Sequence, residues 1–526
     1  MRLRGVLAFC VTIVSVQSAL RTDQQFWNDL AQNELNEALQ MKLNTDVAKN
    51  VILFIGDGMG PNTVTAARIH KGGESHRLTF EKFPHMGLLK TYSSDKLVPD
   101  SACTATALFG GIKTNKDTVG VDATVQRGDC QASLRPEASI PSLAALALKA
   151  GKSVGVVTTM RITHATPAPM YAHSADRSWE CEARMPPGAD QCTDIARQLI
   201  EHWPGIDLQV IMGGGRQGLI SNSSFSPEDP LDTWGCIRMD GRNLIQTYKD
   251  DKIKRGLKHS IVSNNKELAD LNVDETDYLL GIFANGHLKY DHERDQGPDG
   301  MPSISDMVEA AIKVLRKNEN GYLLMVEGGN IDMAHHRSWA KRAIGEAVAM
   351  EAAVELAETM IDEKDTLVVV TSDHTHTLSI NGYPDRGTDI FDAVQSSTYD
   401  HVNYTTLSYG TGGPETIQYY IQTDENGSRV MRRDPSQDDT QSYEYHFQAG
   451  IRLIENSHGG GDVAIYAKGP YAHLFHNVHE QHYVFHAVSY AAKLGEYANS
   501  SESYLIVNKT VYLLSFIVLF IKSNIL

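Results

Sequence analysis

Six short apolar runs constrain this chain more than any other feature. "KNVILFIGDG", "SVGVVTTM", "LQVIMGGG", "YLLMVEGG", "TLVVVTSD" and "DVAIYAKG" are apolar without alternation and close in Gly, Asp, Ser or Glu. A strand apolar on both sides needs cover on both sides, which is the requirement of a buried parallel sheet. Helix candidates lie between the runs: "SLAALALKA", "DIARQLIEHW" and the long, Ala- and Glu-rich "AKRAIGEAVAMEAAVELAETMID". This βαβ rhythm predicts an α/β fold with a central, mostly parallel sheet and helices on both faces. The rhythm breaks between about His376 and His458, a stretch rich in Thr, Ser, Tyr, Gly and Asp that predicts an inserted subdomain.

Ligands of such sheets bind at the carboxyl ends of the strands, so the polar residues closing the runs are site candidates as a set. Asp57 follows "VILFI", Glu327 follows "YLLMV", Asp373 and His374 follow "LVVVTS", and His458 precedes "VAIYA". Asp332 and His336, four apart, share a face if a helix begins near Ile331. His335, one position before His336, points about 100° away on the same helix and is expected as a supporting or rim group. Carboxylates gathered this closely raise one another's pKa unless a cation sits among them. Asp with His suits Zn²⁺, and carboxylate with hydroxyl and water suits Mg²⁺. In "VPDSACTATALFGG", Ser101 follows Asp100 at the start of a small-residue helix, where backbone N–H groups favour an anion and the hydroxyl is a candidate nucleophile. No G-x-S-x-G elbow is present, which weakens an esterase reading.

The formal net charge of -17 argues against a nucleic-acid binder, because affinity for a polyanion rests mainly on neutralisation by Lys and Arg. At the start, "MRLRGVLAFCVTIVSVQSA" has the order of a secretory signal peptide, expected over 1–19. Near the end, "VYLLSFIVLFI" is too short to cross a bilayer, which takes roughly 20 residues. With "NSSES" upstream, it fits a signal for a glycosylphosphatidylinositol (GPI) anchor attached near Asn499 to Ser501, a tail from 501 being removed. The expected mature chain, 20–500, is then displayed on the extracellular face of the cell membrane. Sequons at Asn222, Asn403, Asn426, Asn499 and Asn508 fit that compartment. Once Cys10 is lost with the leader, Cys103, Cys130, Cys181, Cys192 and Cys236 remain. An odd number leaves at least one thiol free or paired outside the chain.

"FIGDGMG", "PDSACTATA", "THATPAPMYAHSADRSW", "VEGGNIDMAHH", "VVVTSDHTH" and "HGGGDVAIYAKGPYAHLFHNVHEQHY" resemble, in order, the motifs of the metazoan alkaline phosphatases, over about Asn50 to Ala492. The resemblance implies a homodimeric hydrolase of small phosphomonoesters with two Zn²⁺ and one Mg²⁺ per subunit, working through a phosphoserine intermediate. Carried over by position, Asp332, His336 and His458 would hold the first zinc, and Asp57, Asp373 and His374 the second. Asp57, Glu327 and Thr166 would hold magnesium. Ser101 would be the nucleophile and Arg177 a bidentate phosphate clamp. The insertion at 376–458 would be the family's crown, and Cys130–Cys192 the disulfide, leaving Cys103, Cys181 and Cys236 without assigned partners. Animal members often carry a calcium-type site with a glutamate after a Phe; here Phe283 is followed by Ala284, and although Asp299 matches, no calcium is assigned.

Related enzymes fit less well. The C/S-x-P-x-R context of a sulfatase is absent around Ser101, phosphodiesterases generally lack the counterparts of Glu327 and Arg177, and a catalytically dead surface glycoprotein has no need of an intact ligand set.

Overall fold

The computed structural model describes residues 24–499 except 417, 418 and 426. The expected leader at 1–19, the tail at 501–526 and the sequons at Asn426 and Asn508 lie outside the described residues. Two units are present. The first contains helix α1 (Gln24–Leu39), none of whose side chains is buried. The second, an α/β body, begins at Leu43.

Ten strands of the second unit form one sheet: β1 (Asn50–Gly56), β2 (His85–Lys90), β3 (Ser153–Arg161), β4 (Val210–Gly214), β5 (His259–Val262), β6 (Tyr278–Ile282), β7 (Tyr322–Gly328), β8 (Thr366–Ser372), β9 (Val463–Lys468) and β10 (Asn477–Glu480). Their order is β10-β2-β9-β8-β1-β7-β3-β4-β6-β5. Neighbours run parallel except at β9, which is antiparallel to both β8 and β2.

The unbroken apolar runs are explained by two cores, one on each face. In β1, Ile52 and Phe54 enter one core while Val51, Leu53 and Ile55 enter the other. β7 splits likewise, Leu324 and Val326 against Leu323 and Met325, and so does β8, Val368 and Val370 against Leu367 and Val369. Side chains alternate across a strand, so only a strand covered on both faces can be apolar throughout. The first core is covered by α2 (Pro61–Gly72), α4 (Ile304–Leu315) and α6 (Ala340–Met360); the second by α3 (Ser101–Gly110) and the helices Leu143–Lys149 and Ile195–Glu201.

Register then brings the strand ends together. Ile55 lies opposite Glu327 on one side and Thr371 on the other, with Gly56 opposite Gly328 and Ser372. Asp57 and Asp373 therefore leave adjacent strands at the same level. Because β9 runs backwards, the segment entering it arrives at that same edge and delivers His458.

Between β8 and β9 the chain leaves the large sheet. Thr375–His376 pairs antiparallel with His458–Gly459, which closes the excursion. Inside it, Leu378–Ile380, Leu407–Gly412 and Ala449–Arg452 form a three-stranded sheet, and two small two-stranded sheets complete the inserted segment. Cys130 is bonded to Cys192, as the resemblance implies, and Cys181 to Cys236, a pair that carried no assignment. Cys103 is free and buried.

Candidate functional site

Every residue expected at the site converges at the carboxyl edge of β1, β3, β7 and β8. Asp57, Ser101, Thr166, Glu327, Asp332, Asp373 and His374 are all buried. The Asp373 carboxylate accepts the Gly58 N–H at 3.0 Å and the Thr104 hydroxyl at 3.3 Å. His374 Nε2 lies 3.3 Å from both Asp57 Oδ1 and Asp373 Oδ2. Burial, and then Asp373, push the Asp57 carboxyl well above its ordinary range, while burial and His458 push His374 well below its own. The carboxylates thus repel one another beside a neutral imidazole, a donor set that a divalent cation would relieve.

A second group forms around Asp332, at the start of α5 (Asn330–His336). Its Oδ2 is 3.3 Å from His336 Nε2, and its Oδ1 is 3.4 Å from His458 Nε2. The Nδ1 atoms are bonded to main-chain carbonyls, His336 to Asn456 at 2.7 Å and His458 to Pro99 at 2.9 Å. Donation there fixes both tautomers, so the two Nε2 atoms face each other 3.1 Å apart. Two imidazole nitrogens hold that spacing around a proton or a metal. Although burial opposes its charge, Asp332 pushes His336 up to about 9, so without a metal a proton takes that place.

The third group is Asp57, Glu327 and Thr166. The Thr166 hydroxyl donates to Asp57 Oδ2 at 3.3 Å and Thr158 to Glu327 Oε2 at 2.5 Å, while Glu327 Oε1 is buried with no partner. Burial pushes the Glu327 carboxyl up to about 7. An orphaned buried carboxylate oxygen is costly unless a ligand takes it, so this set also fits a bound cation.

Ser101 is the first residue of α3, capped by Asp100, whose carboxylate accepts from the N–H groups of Ala102 and Cys103. Its Oγ lies 3.1 Å from His374 Nε2 and 3.4 Å from Asp57 Oδ1. Arg177 donates to Asp100 Oδ2 at 2.9 Å and to His164 Nε2 at 3.2 Å. Burial would raise the Asp100 carboxyl, yet Arg177 and the Asp117 N–H hold it below its usual range. Arg177 is thus charged, aimed and tied from behind. It opens into a cavity of about 510 Å³ that is also lined by His336 and His458 and by charges of both signs, Lys116, Arg127 and Arg161 beside Asp117, Glu180 and Glu455.

Sequence reasoning left out several members. His376 Nε2 is 2.5 Å from Asp332 Oδ1, and its Nδ1 is held by Asn456 Oδ1 at 2.6 Å. Asp332, His374, His376 and His458 can bring one ligand atom each within 4.8 Å of one another, and so can Asp57, Glu327 and His164. The signal for His376 was the "DHTH" spacing, since residues two apart in an extended segment point to the same side. His335 is not a rim group: it is buried, hydrogen-bonded to Thr63 Oγ1 at 3.0 Å and to the Tyr409 hydroxyl at 2.8 Å. At the calcium-type positions Ala284 is buried, Asp299 is exposed, and neither belongs to any potential metal group among the described residues.

Comparison with known proteins agrees with this geometry. Residues 48–494 match the family described as alkaline phosphatase. The chain is 45% identical to the alkaline phosphatase of Gadus morhua over 485 residues, covering 90% of this chain and 98% of that one. It is likewise 45% identical to the tissue-nonspecific isozyme of Homo sapiens over 488 residues, covering 90% and 89%. Among solved structures, the alkaline phosphatase of Thermus thermophilus superposes with a TM-score of 0.57 at 22% identity, over 86% of this chain and 92% of that one, a likeness of fold.

Proposed function

Because the chain belongs to the alkaline phosphatase family, and is on that ground a phosphomonoester hydrolase, we propose that it works through a phosphoserine on Ser101, with two zinc ions and one magnesium ion. The observation that carries this reading is the position of the Ser101 hydroxyl, 3.1 Å from His374 and 3.4 Å from Asp57, with the Arg177 guanidinium held by the adjacent Asp100. Asp332, His336 and His458 would hold one zinc, with His376 positioning Asp332. Asp57, Asp373 and His374 would hold the other, and Asp57, Glu327 and Thr166 the magnesium. When bound, these ions supply the positive charge that lowers the pKa of the hydroxyl and offsets the charge of the phosphoryl group.

The chain's own residues do the rest. Arg177 takes two phosphoryl oxygens in its planar fork and sets the ester in line with Ser101. Ser101 Oγ passes its proton to water and bonds to phosphorus as the bond to the alcohol oxygen breaks. The departing alkoxide takes a proton from water at the cavity mouth. Water then attacks the phosphoseryl group from the opposite side, restoring Ser101 and releasing phosphate.

Homodimer assembly, the crown role of residues 376–458, and GPI anchoring near Asn499 to Ser501 belong to the same proposal, supported by the ordered motifs and the small polar stretch before a short apolar tail. Among the described residues no helix is long and apolar enough to cross a membrane. A phosphatidylinositol-specific phospholipase C should release the activity from membranes. The catalytic reading is tested on a generic aryl phosphate: turnover should vanish with a chelator and fall at least about 1,000-fold in Ser101→Ala. Purified, metal-replete protein without turnover would sink it.

A further inference from the structure

The cavity that opens on Arg177 has lining unused by the phosphoryl chemistry. It includes Met333, Trp234 and Cys236, and Trp234 is 65% exposed. An exposed indole is unremarkable on a loose loop, but this loop is fastened on every side. Cys236 is bonded to Cys181. The Arg184 guanidinium donates to the successive carbonyls of Thr233, Trp234 and Gly235, each at 3.2 Å. Gln217 exchanges hydrogen bonds with the Asp232 main chain at 2.7 and 2.8 Å, and Asp232 is ion-paired with the buried Arg161. Gly235 lies so close to Arg161 that a Cβ there would meet its guanidinium at 3.0 Å.

None of these contacts uses the indole, so the ring is not what holds the loop. It is an exposed aromatic ring carried on a fastened backbone and lining a catalytic cavity. Its surroundings are suited to a flat ring: the Met333 thioether lines the same cavity and the Arg337 guanidinium lies 5.8 Å from the indole centroid. A volume of about 510 Å³ is within the range of sites that enclose a whole small molecule rather than a phosphate alone.

We propose that Trp234 forms a leaving-group subsite, stacking on a planar aromatic group of the ester whose phosphoryl end lies at Ser101. The subsite rests on the phosphomonoesterase reading for its substrate. It makes the enzyme selective: nucleotides and aryl phosphates gain binding from the indole, and small aliphatic esters do not. The fastened loop contributes to the gain, since its backbone loses little freedom when a ring settles on the indole.

The test compares adenosine 5′-monophosphate with glycerol 2-phosphate in the wild type, Trp234→Ala and Trp234→Phe. Stacking on one aromatic side chain predicts that the ratio of kcat/KM for the two esters falls roughly tenfold in Trp234→Ala. Trp234→Phe, which keeps a planar face, should retain most of the ratio. A ratio within about twofold of wild type in Trp234→Ala overturns the subsite, whether or not both esters slow together. A binding measurement separates this result from the fate of the catalytic reading. Calorimetric affinity for adenosine 5′-monophosphate in Ser101→Ala should exceed that in the double variant Ser101→Ala/Trp234→Ala by a similar factor, and equal affinities overturn the subsite. If the wild type turns over neither ester, the phosphatase reading fails and this pair of affinities alone decides the subsite.

Discussion

Glu327 ends a strand inside the protein with one oxygen satisfied by Thr158 and the other by nothing. Thr158 therefore positions the carboxylate rather than touching substrate. Thr158→Val should raise the magnesium concentration needed for half-maximal activity by about 10- to 100-fold, measured by titrating metal back into chelated enzyme; an unchanged requirement would remove Thr158 from the account. Arg177→Ala deletes charge-assisted bonds to the phosphoryl group and leaves the buried Asp100 without its partner. Its KM for an aryl phosphate should rise roughly 10- to 100-fold. Single residues were legible where chemistry and position coincide: an Asp or His at the end of an apolar run has no packing reason to be there. Asp100, Thr158 and Asn456 were not, because their importance lies in what they hold, and their partners are 77, 169 and 80 positions away. His376 was half legible, since its spacing from His374 was visible but its bond to Asp332 was not.

Among elements, the strands that build the site are those the sequence announces most clearly. β1, β3, β4, β7, β8 and β9 are central and covered on both faces, so their apolar runs are unbroken. β2, β5 and β10 lie at or near the sheet edges and are partly exposed, which leaves no such run to read. β6 is a short buried run that a helix segment could mimic. Helix α4 was missed although Ser303 and Asp306 form a capping box at its start. The disulfide between Cys181 and Cys236 follows from neither spacing nor composition, because it depends on where the loop carrying Trp234 folds back. It spans 55 residues, and closing a loop of that length is worth roughly 4 kcal/mol in chain entropy. Replacing both cysteines by serine should lower the melting temperature by about 4 °C. A calorimetric scan indistinguishable from wild type would show that the loop is held by Arg184 and Gln217 alone.

For the whole molecule, the ledger of charge is uneven: a body with a formal net charge of -17 concentrates buried carboxylates and imidazoles at one edge of one sheet. Without metal, burial pushes Glu327 up to about 7 from 4.5, and Asp332 pushes His336 up to about 9 from 6.5 against its burial. Each group binds its proton more tightly when folded, so each contributes stability at low pH that is lost as pH rises through its folded value. The melting temperature of chelated protein should accordingly fall between about pH 7 and pH 9, and metal should restore it. A chelated protein as stable at the upper pH as at the lower would mean that these groups are satisfied by the fold alone. Most of the fold class and the candidate ligands could thus be read from patterns of burial along the chain, whereas the support behind them required the folded packing. The central claim is that Ser101 carries the phosphoryl group. Enzyme quenched in acid during turnover and digested should yield a Ser101 peptide heavier by one phosphoryl group, absent in Ser101→Ala; sustained turnover with Ser101 unmodified, or with the group on another residue, would contradict it.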